Sequence, residues 1–302
     1  MDIINTYVIP HLIYPGLKKS LLTLHKNTPK NFRVILVDQS RNDNSELLKE
    51  GLVDVIVKCS RNLGFAKATN IGLRMADTEY VTALNDDVEM IYDRWWEDLM
   101  TVFRDREDAG AVNPHSPRNP QGGGGICDQY IYRDVLKDGN YTDEQMNEMK
   151  QVFSRGSKPG QEQIYPAGCT YCTVFRRSAL LDVGKQENSP YGIALYDEAF
   201  GTGGGEDYDL VRRMGLKGYR FYGTHRSFVY HWWLSTRSML QEAGYGESAY
   251  ASTAKGYNTF RGKWGPTHGK GPNDTLDGAD VYGRSGPKEP LDGQPWFSVV
   301  PL

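Results

Sequence analysis

Two adjacent carboxylates follow a short apolar run in the first third of the chain. Glu79–Met90 reads EYVTALNDDVEM, and its β-rich run ends abruptly in Asn85, Asp86 and Asp87. Adjacent carboxylates repel each other, and each raises the pKa of the other unless a cation neutralises them. Asn and Asp are also ordinary turn residues. By itself, the segment therefore fits either a turn or a metal site.

A second acidic segment, GGGEDYDLVRRMGLKG, lies much later in the chain. Glu206 and Asp207 follow three glycines at the predicted start of a short helix that ends at Gly215. The helix dipole stabilises acidic residues in a first turn, so the pair has either a structural or a functional role. Further on, His231 ends the β-rich run of VYHWW, where it is either a packed neighbour of the tryptophans or a ligand.

Composition limits the class of protein. The chain has 302 residues, 39% of them hydrophobic and 24% charged, which fits one large α/β domain or a domain with an appendage. A net charge of -3 gives no global electrostatic reason for a nucleic-acid or anionic-membrane partner. The N-terminus has no signal-peptide pattern, and no apolar run is long enough to span a bilayer. These features predict a soluble, cytoplasmic protein without a transmembrane segment.

The cysteines predict no disulfide framework. Four cysteines are few for a chain of this length, and Cys169 and Cys172 form a C-x-x-C pair without the second pair of a zinc site. We interpret them as buried structural thiols.

Strand and helix patterns alternate through the first part of the chain. Apolar β-rich runs alternate with stretches that place apolar residues at helical spacing. The predicted strands are Asn5–Pro10, Phe32–Asp38, Leu52–Ser60, Tyr80–Leu84 and Ala109–Pro114. The predicted helices are Gly16–Asn27, Gly64–Ala76 and Asp93–Asp105. This alternation predicts an α/β fold with a mostly parallel sheet covered by helices on both faces.

Three of the predicted strands end in polar residues. They are Asp38 with Gln39 and Ser40, then Cys59–Asn62, then Asn85–Asp87. The carboxyl ends of parallel strands share one edge of a sheet, and that edge is where such folds bind ligands. This position favours a binding role for the carboxylates over a simple turn.

The remaining segments predict an insertion and a C-terminal extension. Residues 115–163 break the alternation with a glycine-rich flexible loop at Gly122–Gly125 and a helix that begins at Thr142. Strand and helix patterns resume at Thr170–Phe175 and Arg177–Gly184. We therefore predict a main domain over residues 1–235. Residues 236–302 are predicted to form an extension, with a helix and then an irregular tail from about Gly256.

Taken together, these segments resemble the family 2 glycosyltransferases, which are inverting enzymes of the GT-A fold that use nucleotide-diphosphate sugars. The resemblance runs from Asn5 to Trp233 and rests on VILVDQSRND, NLGFAKATNIGL, VTALNDDVEM, GEDYDL and VYHWW. It implies a nucleotide-sugar half at 1–114, the insertion at 115–163, and an acceptor and catalytic half at 164–235.

The resemblance implies roles for donor-binding residues. Pro10 and Asp38 would lie at the nucleotide base, with Asp38 accepting the N–H of a uracil-type imide. Asn62 and Lys67 would lie near the ribose and the diphosphate. Asp86 would approach the ribose or the transferred sugar.

It also implies the catalytic groups. Asp87 and His231 would hold Mn²⁺ or Mg²⁺ at the diphosphate, whose developing charge the cation stabilises. Asp207 would be the general base that takes the acceptor hydroxyl's proton, with Glu206 beside it contacting the acceptor or metal-bound water. The implied reaction is one in-line displacement that inverts the anomeric centre.

The sequence departs from the family pattern at two places. Pro10 is followed by His11-Leu12-Ile13 instead of Thr-Tyr-Asn, so UDP is only favoured over GDP or dTDP. The metal motif begins with Asn85 instead of Asp, which makes Asp87 the main ligand.

Several alternatives stay open at this stage. The acceptor could be a glycan, a lipid-linked glycan, a protein or a modified nucleic-acid base. The basic, aromatic tail with Lys255, Arg261, Lys263 and Lys270 suits a polyanionic acceptor or a solvated, packing segment. A non-catalytic nucleotide-sugar or glycan-binding module is the alternative function. A sugar-1-phosphate nucleotidyltransferase is less favoured, because IPHLIYPGLKK lacks a glycine-rich, basic phosphate loop.

Overall fold

A computed structural model of the chain describes residues 2–116, 144, 164–166, 170–184, 195–231 and 249–264. The first half follows the predicted alternation of strands and helices. Its strands are β1 (Asn5–His11), β2 (Phe32–Asp38), β3 (Val55–Lys58), β4 (Tyr80–Leu84), β5 (Val88–Glu89) and β6 (Ala109–His115). Its helices are α1 (Leu17–Asn27), α2 (Glu46–Lys49), α3 (Phe65–Met75) and α4 (Trp95–Asp105).

The second half completes the sheet and adds helices. Its strands are β7 (Ile164–Pro166), β8 (Cys172–Arg176), β9 (Arg220–Phe228) and β10 (Tyr230–His231). Its helices are α5 (Arg177–Gly184), a 3₁₀ turn (Glu198–Phe200), α6 (Glu206–Leu216) and α7 (Ala249–Trp264).

The described strands form one large sheet and one small ribbon. The large sheet has eight strands in the order β3-β2-β1-β4-β8-β6-β9-β7. β8 runs antiparallel to β4 and β6, and β7 runs antiparallel to β9, while the other neighbours are parallel. The predicted α/β fold with a mostly parallel sheet is therefore confirmed.

Helices cover both faces of the large sheet, because successive side chains of a strand point to opposite faces. On β1, Tyr7 and Ile9 join the core that contains Leu21 and Trp95 from α1 and α4. The intervening Val8 joins the core of α3 and α6 on the other face. The apolar periodicity of the sequence thus places α1 and α4 on one face, and α3 and α6 on the other.

The small ribbon brings a late segment back to the end of β4. β5 and β10 are antiparallel, with Tyr230 opposite Glu89 and His231 opposite Val88. A two-residue pairing so far apart in sequence has no local signal. It places His231 beside the residues that follow β4.

The C-terminal extension differs from the prediction. The irregular tail expected from about Gly256 is wrong as far as Trp264, because α7 continues to that residue. Gly256 lies inside the helix where α7 meets the backbone of Gly204, so the missing side chain serves close packing and does not mark a break.

Several predicted features lie outside the described residues. They are the glycine-rich loop at Gly122–Gly125, all but residue 144 of the helix predicted to begin at Thr142, and Lys270 in the tail. Cys172 is buried and unbridged, and burial raises the pKa of its thiol, as expected for a structural cysteine. Within the described part of the chain, no helix is long and apolar enough to cross a membrane.

Candidate functional site

The two adjacent carboxylates lie in a tight connection between β4 and β5. Asp86 and Asp87 are only 6% and 4% exposed. The backbone amide of Val88 donates to the Asn85 carbonyl over 3.3 Å, which closes a turn around them. The segment is thus a turn, and it also buries two carboxylates at the carboxyl edge of the sheet. Turn chemistry and a binding role are compatible here.

Asp87 contacts His231. The Nε2 atom of His231 lies 3.1 Å from Oδ1 of Asp87 and 3.4 Å from Nδ2 of Asn85. Tyr171 stacks on the imidazole at 5.0 Å between ring centroids, with 13° between the ring planes. The β5–β10 register and this stacking fix the histidine beside the carboxylate. The two residues predicted to bind a metal are therefore brought together.

The donor atoms at this point suit a hard divalent cation. Asn85 Oδ1 is buried and has no hydrogen-bond partner among the described residues, so an oxygen donor is available next to Asp87 and His231. In the same part of the chain, no group of three or more His, Cys, Asp or Glu side chains forms a complete metal site. Mg²⁺ usually takes one or two carboxylates and completes its shell with substrate phosphates and water. The residues present fit such a partial site.

Asp86 has a different partner from Asp87. Its Oδ2 lies 2.8 Å from Nδ1 of His11, at the end of β1. Burial raises the pKa of Asp86 and the charge of Asp87 adds to this, whereas the contact with His11 opposes both. The sequence marked His11 only as a departure from the family pattern. Its contact with Asp86 could not be read from the chain, because the two residues meet across neighbouring strands.

A cavity of about 250 Å³ opens beside His11. The loops after β1 and β2 line it, including Tyr14, Lys18, Asn42 and Asn44. Burial raises the pKa of the Tyr14 phenol, and the nearby carboxylates of Glu89 and Asp87 raise it further. The cavity therefore adjoins the acidic turn, at the edge of the sheet where the sequence predicts a nucleotide.

Asp38 lies behind this cavity. Its carboxylate is fully buried and accepts hydrogen bonds from the Ser40 amide, the Asn44 side chain and Lys58, at 2.8–2.9 Å. Burial alone would raise the pKa of Asp38, but these hydrogen bonds outweigh it and hold the pKa below its usual value. Pro10 lies within β1, opposite Val37. Direct contact of Asp38 with a base stays a prediction, whereas Asn44 connects it to the cavity wall.

Asn62 and Lys67 lie at the start of α3. Asn62 Oδ1 accepts the Gly64 amide at 2.9 Å, which organises the turn into the helix. Lys67 Nζ lies 4.0 Å from Glu198, a carboxylate that Asn70 and Arg74 also contact. The structure therefore ties α3 to the 3₁₀ turn. Contacts of Asn62 and Lys67 with a ribose or a diphosphate stay predictions.

Glu206 and Asp207 form the first turn of α6, as predicted. The preceding Gly203, Gly204 and Gly205 have φ values of 134°, 113° and 89°, a region that side chains disfavour. Glu206 accepts a hydrogen bond from the amide of Gly204 and so closes its own loop. Its predicted contact with an acceptor or with metal-bound water stays a prediction.

Thr170, which lies just before β8, holds the carboxylate of Asp207. Its Oδ2 accepts the Thr170 amide at 3.1 Å, and its Oδ1 accepts the Thr170 hydroxyl. The side chain is partly exposed, so the carboxylate is both oriented and reachable. A carboxylate in this state can accept a proton from a bound hydroxyl group.

Thr170 and Tyr171 join the two acidic centres. Thr170 donates hydrogen bonds to Asp207. The ring of Tyr171 stacks on His231, and its carbonyl oxygen accepts a hydrogen bond from the amide of Asn85 at 2.8 Å. Sequence reasoning placed both residues only at the start of a strand and missed this role. The signal available was their position just before β8, which pairs antiparallel with β4.

The family of the chain follows from a comparison with known families. The model of glycosyl transferase family 2 matches residues 6–184, which is more than half of the chain. The protein therefore belongs to this family, and it has the GT-A fold. The match ends before α6 and β10, so the roles of Asp207 and His231 rest on the geometry above. No curated protein matches the chain.

The solved structures that share the fold include GalNAc-T7 and PcManGT. GalNAc-T7 with UDP, GalNAc and Mn²⁺ is 19% identical with a TM-score of 0.52, and the match covers 76% of this chain and 43% of that one. The mannosyltransferase PcManGT from Pyrobaculum calidifontis, with GDP-Man and Mn²⁺, is 13% identical with a TM-score of 0.52, covering 94% and 70%. This chain thus spans less than half the length of the GalNAc-T7 chain. At these identities the likeness concerns the fold.

Proposed function

We propose that this protein is a metal-dependent inverting glycosyltransferase that moves a sugar from a nucleotide-diphosphate sugar to an acceptor hydroxyl. In this proposal, residues 1–114 hold the donor and residues 164–235 supply the catalytic base. The observation that carries it is the pair Thr170 and Tyr171, which holds Asp207 on one side and the Asp87–His231 pair on the other. An inverting transfer needs a base and a leaving-group site in one active centre.

The donor diphosphate belongs beside the acidic turn. Asp87, His231 and the Oδ1 atom of Asn85 would hold Mn²⁺ or Mg²⁺ there, and both similar structures were determined with Mn²⁺. A cation in that position stabilises the negative charge that develops on the departing diphosphate. Without a cation, two buried carboxylates would repel the diphosphate, so the arrangement favours a metal-bound donor.

The nucleoside belongs in the cavity lined by Tyr14, Asn42 and Asn44. Tyr14 provides an aromatic face, and the asparagine side chains provide hydrogen-bond donors and acceptors for a base or a ribose. UDP is the favoured nucleotide. Asp86, next to the cavity through His11, would contact the ribose or the transferred sugar.

Asp207 removes the acceptor's proton in this mechanism. As the acceptor oxygen attacks the anomeric carbon, the bond from that carbon to the diphosphate oxygen breaks, and the hydroxyl proton passes to Asp207. Thr170 keeps the carboxylate oriented for this transfer. One displacement of this kind inverts the anomeric configuration.

Purified protein incubated with UDP-, GDP- and dTDP-sugars tests the proposal. Sugar transfer to water is a slow reaction that needs no known acceptor, so we expect release of UDP with Mn²⁺ and none with EDTA. A panel of glycan, lipid-linked and protein acceptors then follows. Donor binding without nucleotide release across the whole panel would instead support a non-catalytic binding module.

Two variants test the roles of Asp207 as the base and of Asp87 as a metal ligand separately. We expect Asp207→Asn to lose transfer by at least about 100-fold, the scale of general-base catalysis, while it still binds UDP with Mn²⁺. We expect Asp87→Asn to lose both transfer and the Mn²⁺ dependence of UDP binding. Full turnover by the Asp207→Asn protein would refute the base assignment.

A further inference from the structure

α7 packs directly on the glycine loop that carries the catalytic carboxylates. A Cβ atom at Gly256 would lie 1.7 Å from the carbonyl oxygen of Gly204 and 2.6 Å from its carbonyl carbon. Conversely, a Cβ atom at Gly205 would lie 3.2 Å from the Gly256 oxygen. The two backbones are therefore in contact two and three residues before Asp207, at a point where neither position accepts a side chain.

A buried charge network holds the other end of α7. Lys263 is 5% exposed, and its Nζ atom lies 2.7 Å from Asp197 and 2.7 Å from Asp209. Asp209 also binds Arg213 at 2.8 Å and the indole N–H of Trp264 at 2.9 Å. Two carboxylates and two cations thus balance. Without Lys263, the two carboxylates Asp197 and Asp209 would keep only one cation of this network, Arg213, which contacts Asp209. Low-dielectric surroundings disfavour such an excess of buried negative charge.

The network spans the segments on both sides of the loop. Asp197 caps the 3₁₀ turn by accepting the Ala199 amide at 2.9 Å, and Asp209 lies in the first turns of α6. Phe200, Phe260 and Trp264 form a small apolar cluster of their own at the same junction. α7 therefore connects the segment before the glycine loop with the helix after it.

The loop itself needs such support. Gly201, Gly203, Gly204 and Gly205 all have positive φ values, and glycine is the residue that loses most conformational freedom on folding. Within this segment the amide of Gly204 donates to Glu206 and the amide of Gly201 donates to the Glu198 carbonyl, and the contact with α7 further limits the positions open to the loop.

We infer that α7 is a positioning element of the active site, in which Gly256 and Lys263 are positioning residues that hold Glu206 and Asp207 in place. This inference rests on the proposed function for the catalytic role of Asp207. α7 lies outside the region that matches the family model, so it is a feature of this chain's extension. Lys263 is committed to a buried network, which agrees with a packing role for this residue and leaves it unavailable to a polyanionic acceptor.

Two pairs of variants on the full chain test the inference. Gly256→Ala introduces a methyl group against Gly204, whereas Gly262→Ala on the same helix has no atom within 4 Å of its new Cβ and is the matched control. Lys263→Met removes the buried cation without touching the loop. Its control is Lys217→Met, which removes a half-exposed cation at the end of α6.

Hydrogen exchange and turnover are measured for all four variants. We expect Gly256→Ala and Lys263→Met to exchange faster at residues 201–209 but not at β1, and neither control to exchange faster than the wild type at residues 201–209. Displacement of a catalytic group by about 1 Å costs roughly 100-fold, so kcat for UDP release should fall on that scale while the Kd for UDP stays unchanged.

The two readouts distinguish the possible failures. Wild-type exchange and wild-type kcat in both Gly256→Ala and Lys263→Met would overturn the inference. Faster exchange spread evenly over the chain would also overturn it, because α7 would then support the fold and not the loop. If the wild type releases no nucleoside diphosphate with any donor, the proposed function fails, and the exchange pattern at 201–209 still decides whether α7 positions the loop.

Discussion

At the scale of single residues, the site consists of carboxylates that are each held by a separate partner. Asp86 contacts His11, Asp87 contacts His231 and Asp207 contacts Thr170. Adjacent carboxylates are costly when both are buried, so distinct partners on two different strands, His11 on β1 and His231 on β10, stabilise what the sequence alone shows as an unfavourable pair.

Thr170 gives the first prediction at this scale. Thr170→Val keeps the shape and the backbone hydrogen bond to Asp207 but removes the hydroxyl donor. A hydrogen bond to a charged group contributes about 1.5–3 kcal/mol, so we expect kcat to fall by roughly 10-fold or more. UDP binding, measured by calorimetry, should be unchanged.

The neighbouring Thr173→Val is a control for this prediction. Thr173 also donates a buried hydrogen bond, but its acceptor is Asn113, at 2.6 Å, and not Asp207. We expect this variant to lose stability and to keep kcat. Equal losses of kcat in the two variants would show that Thr170 acts only through the stability of β8.

At the scale of elements, the contact of α3 with the sheet gives a second prediction. A Cβ atom at Gly72 would lie 2.3 Å from Val8 Cγ1 and 3.2 Å from Val37 Cγ2, so the helix backbone lies directly on β1 and β2. Gly72→Ala should therefore lower the free energy of unfolding by about 1–3 kcal/mol through overpacking. Urea denaturation measures the change.

A glycine-to-alanine substitution on α7 is expected to have the opposite effect on the free energy of unfolding. Gly262→Ala meets open space and replaces glycine in a helix, so it should raise the free energy of unfolding by up to about 1 kcal/mol. If both alanines stabilised the protein, α3 would not pack as closely as the structure shows.

The pairing of α6 with α7 predicts a dependence on pH. Burial alone would raise the pKa of Asp209, but Arg213 and Lys263 outweigh it and hold that pKa below its usual value. A carboxyl group with a lowered pKa stabilises the fold above the pKa of the unfolded chain, about 3.9, and loses that contribution as the pH falls below it. Asp209→Asn should therefore cost about 3–5 kcal/mol at pH 7.

Urea titrations from pH 7 to pH 2 check this sign. The difference in the free energy of unfolding between the wild type and Asp209→Asn should narrow as the pH falls below about 4. Asp182→Asn is the control, because its carboxylate is 40% exposed and lies 3.8 Å from Lys217. A difference that stayed constant down to pH 2 would contradict the ionised state of Asp209.

At the scale of the whole molecule, the parallel sheet gathers the site. The ends of β1, β2 and β4 bring His11, Asp38 and the acidic turn to one edge, and the β5–β10 ribbon adds His231. The cavity proposed for a nucleoside and the Asp87–His231 pair proposed for a metal are therefore adjacent. A ligand that uses both should stabilise the entire fold.

Thermal and urea unfolding with UDP test this expectation. At a UDP concentration of about 100 times Kd, with Mn²⁺, the free energy of unfolding should rise by about 2.7 kcal/mol. EDTA should remove most of that gain. Asp87→Asn should show a smaller gain that EDTA does not change, and an EDTA-independent gain in the wild type would argue against the metal.

Much of this organisation could be predicted from the chain. Apolar β-rich runs and helical apolar spacing correctly gave β1, β2, β4, α1, α3 and α4, because these elements bury apolar faces that the local sequence records. The polar strand ends then predicted the binding edge. The antiparallel direction of β8 and the helix through Gly256 were not predicted, since strand direction and close backbone contact depend on distant segments.

The sequence by itself determined the elements, the family resemblance and the residue types available for chemistry. Residue type and periodicity are local properties, so Asn85, Asp86, Asp87, Glu206 and Asp207 could be singled out without a fold. Only the tertiary structure decided their partners. His11, Thr170 and Lys263 are far in sequence from the carboxylates they contact, and a hydrogen bond forms only when the fold brings donor and acceptor within about 3 Å.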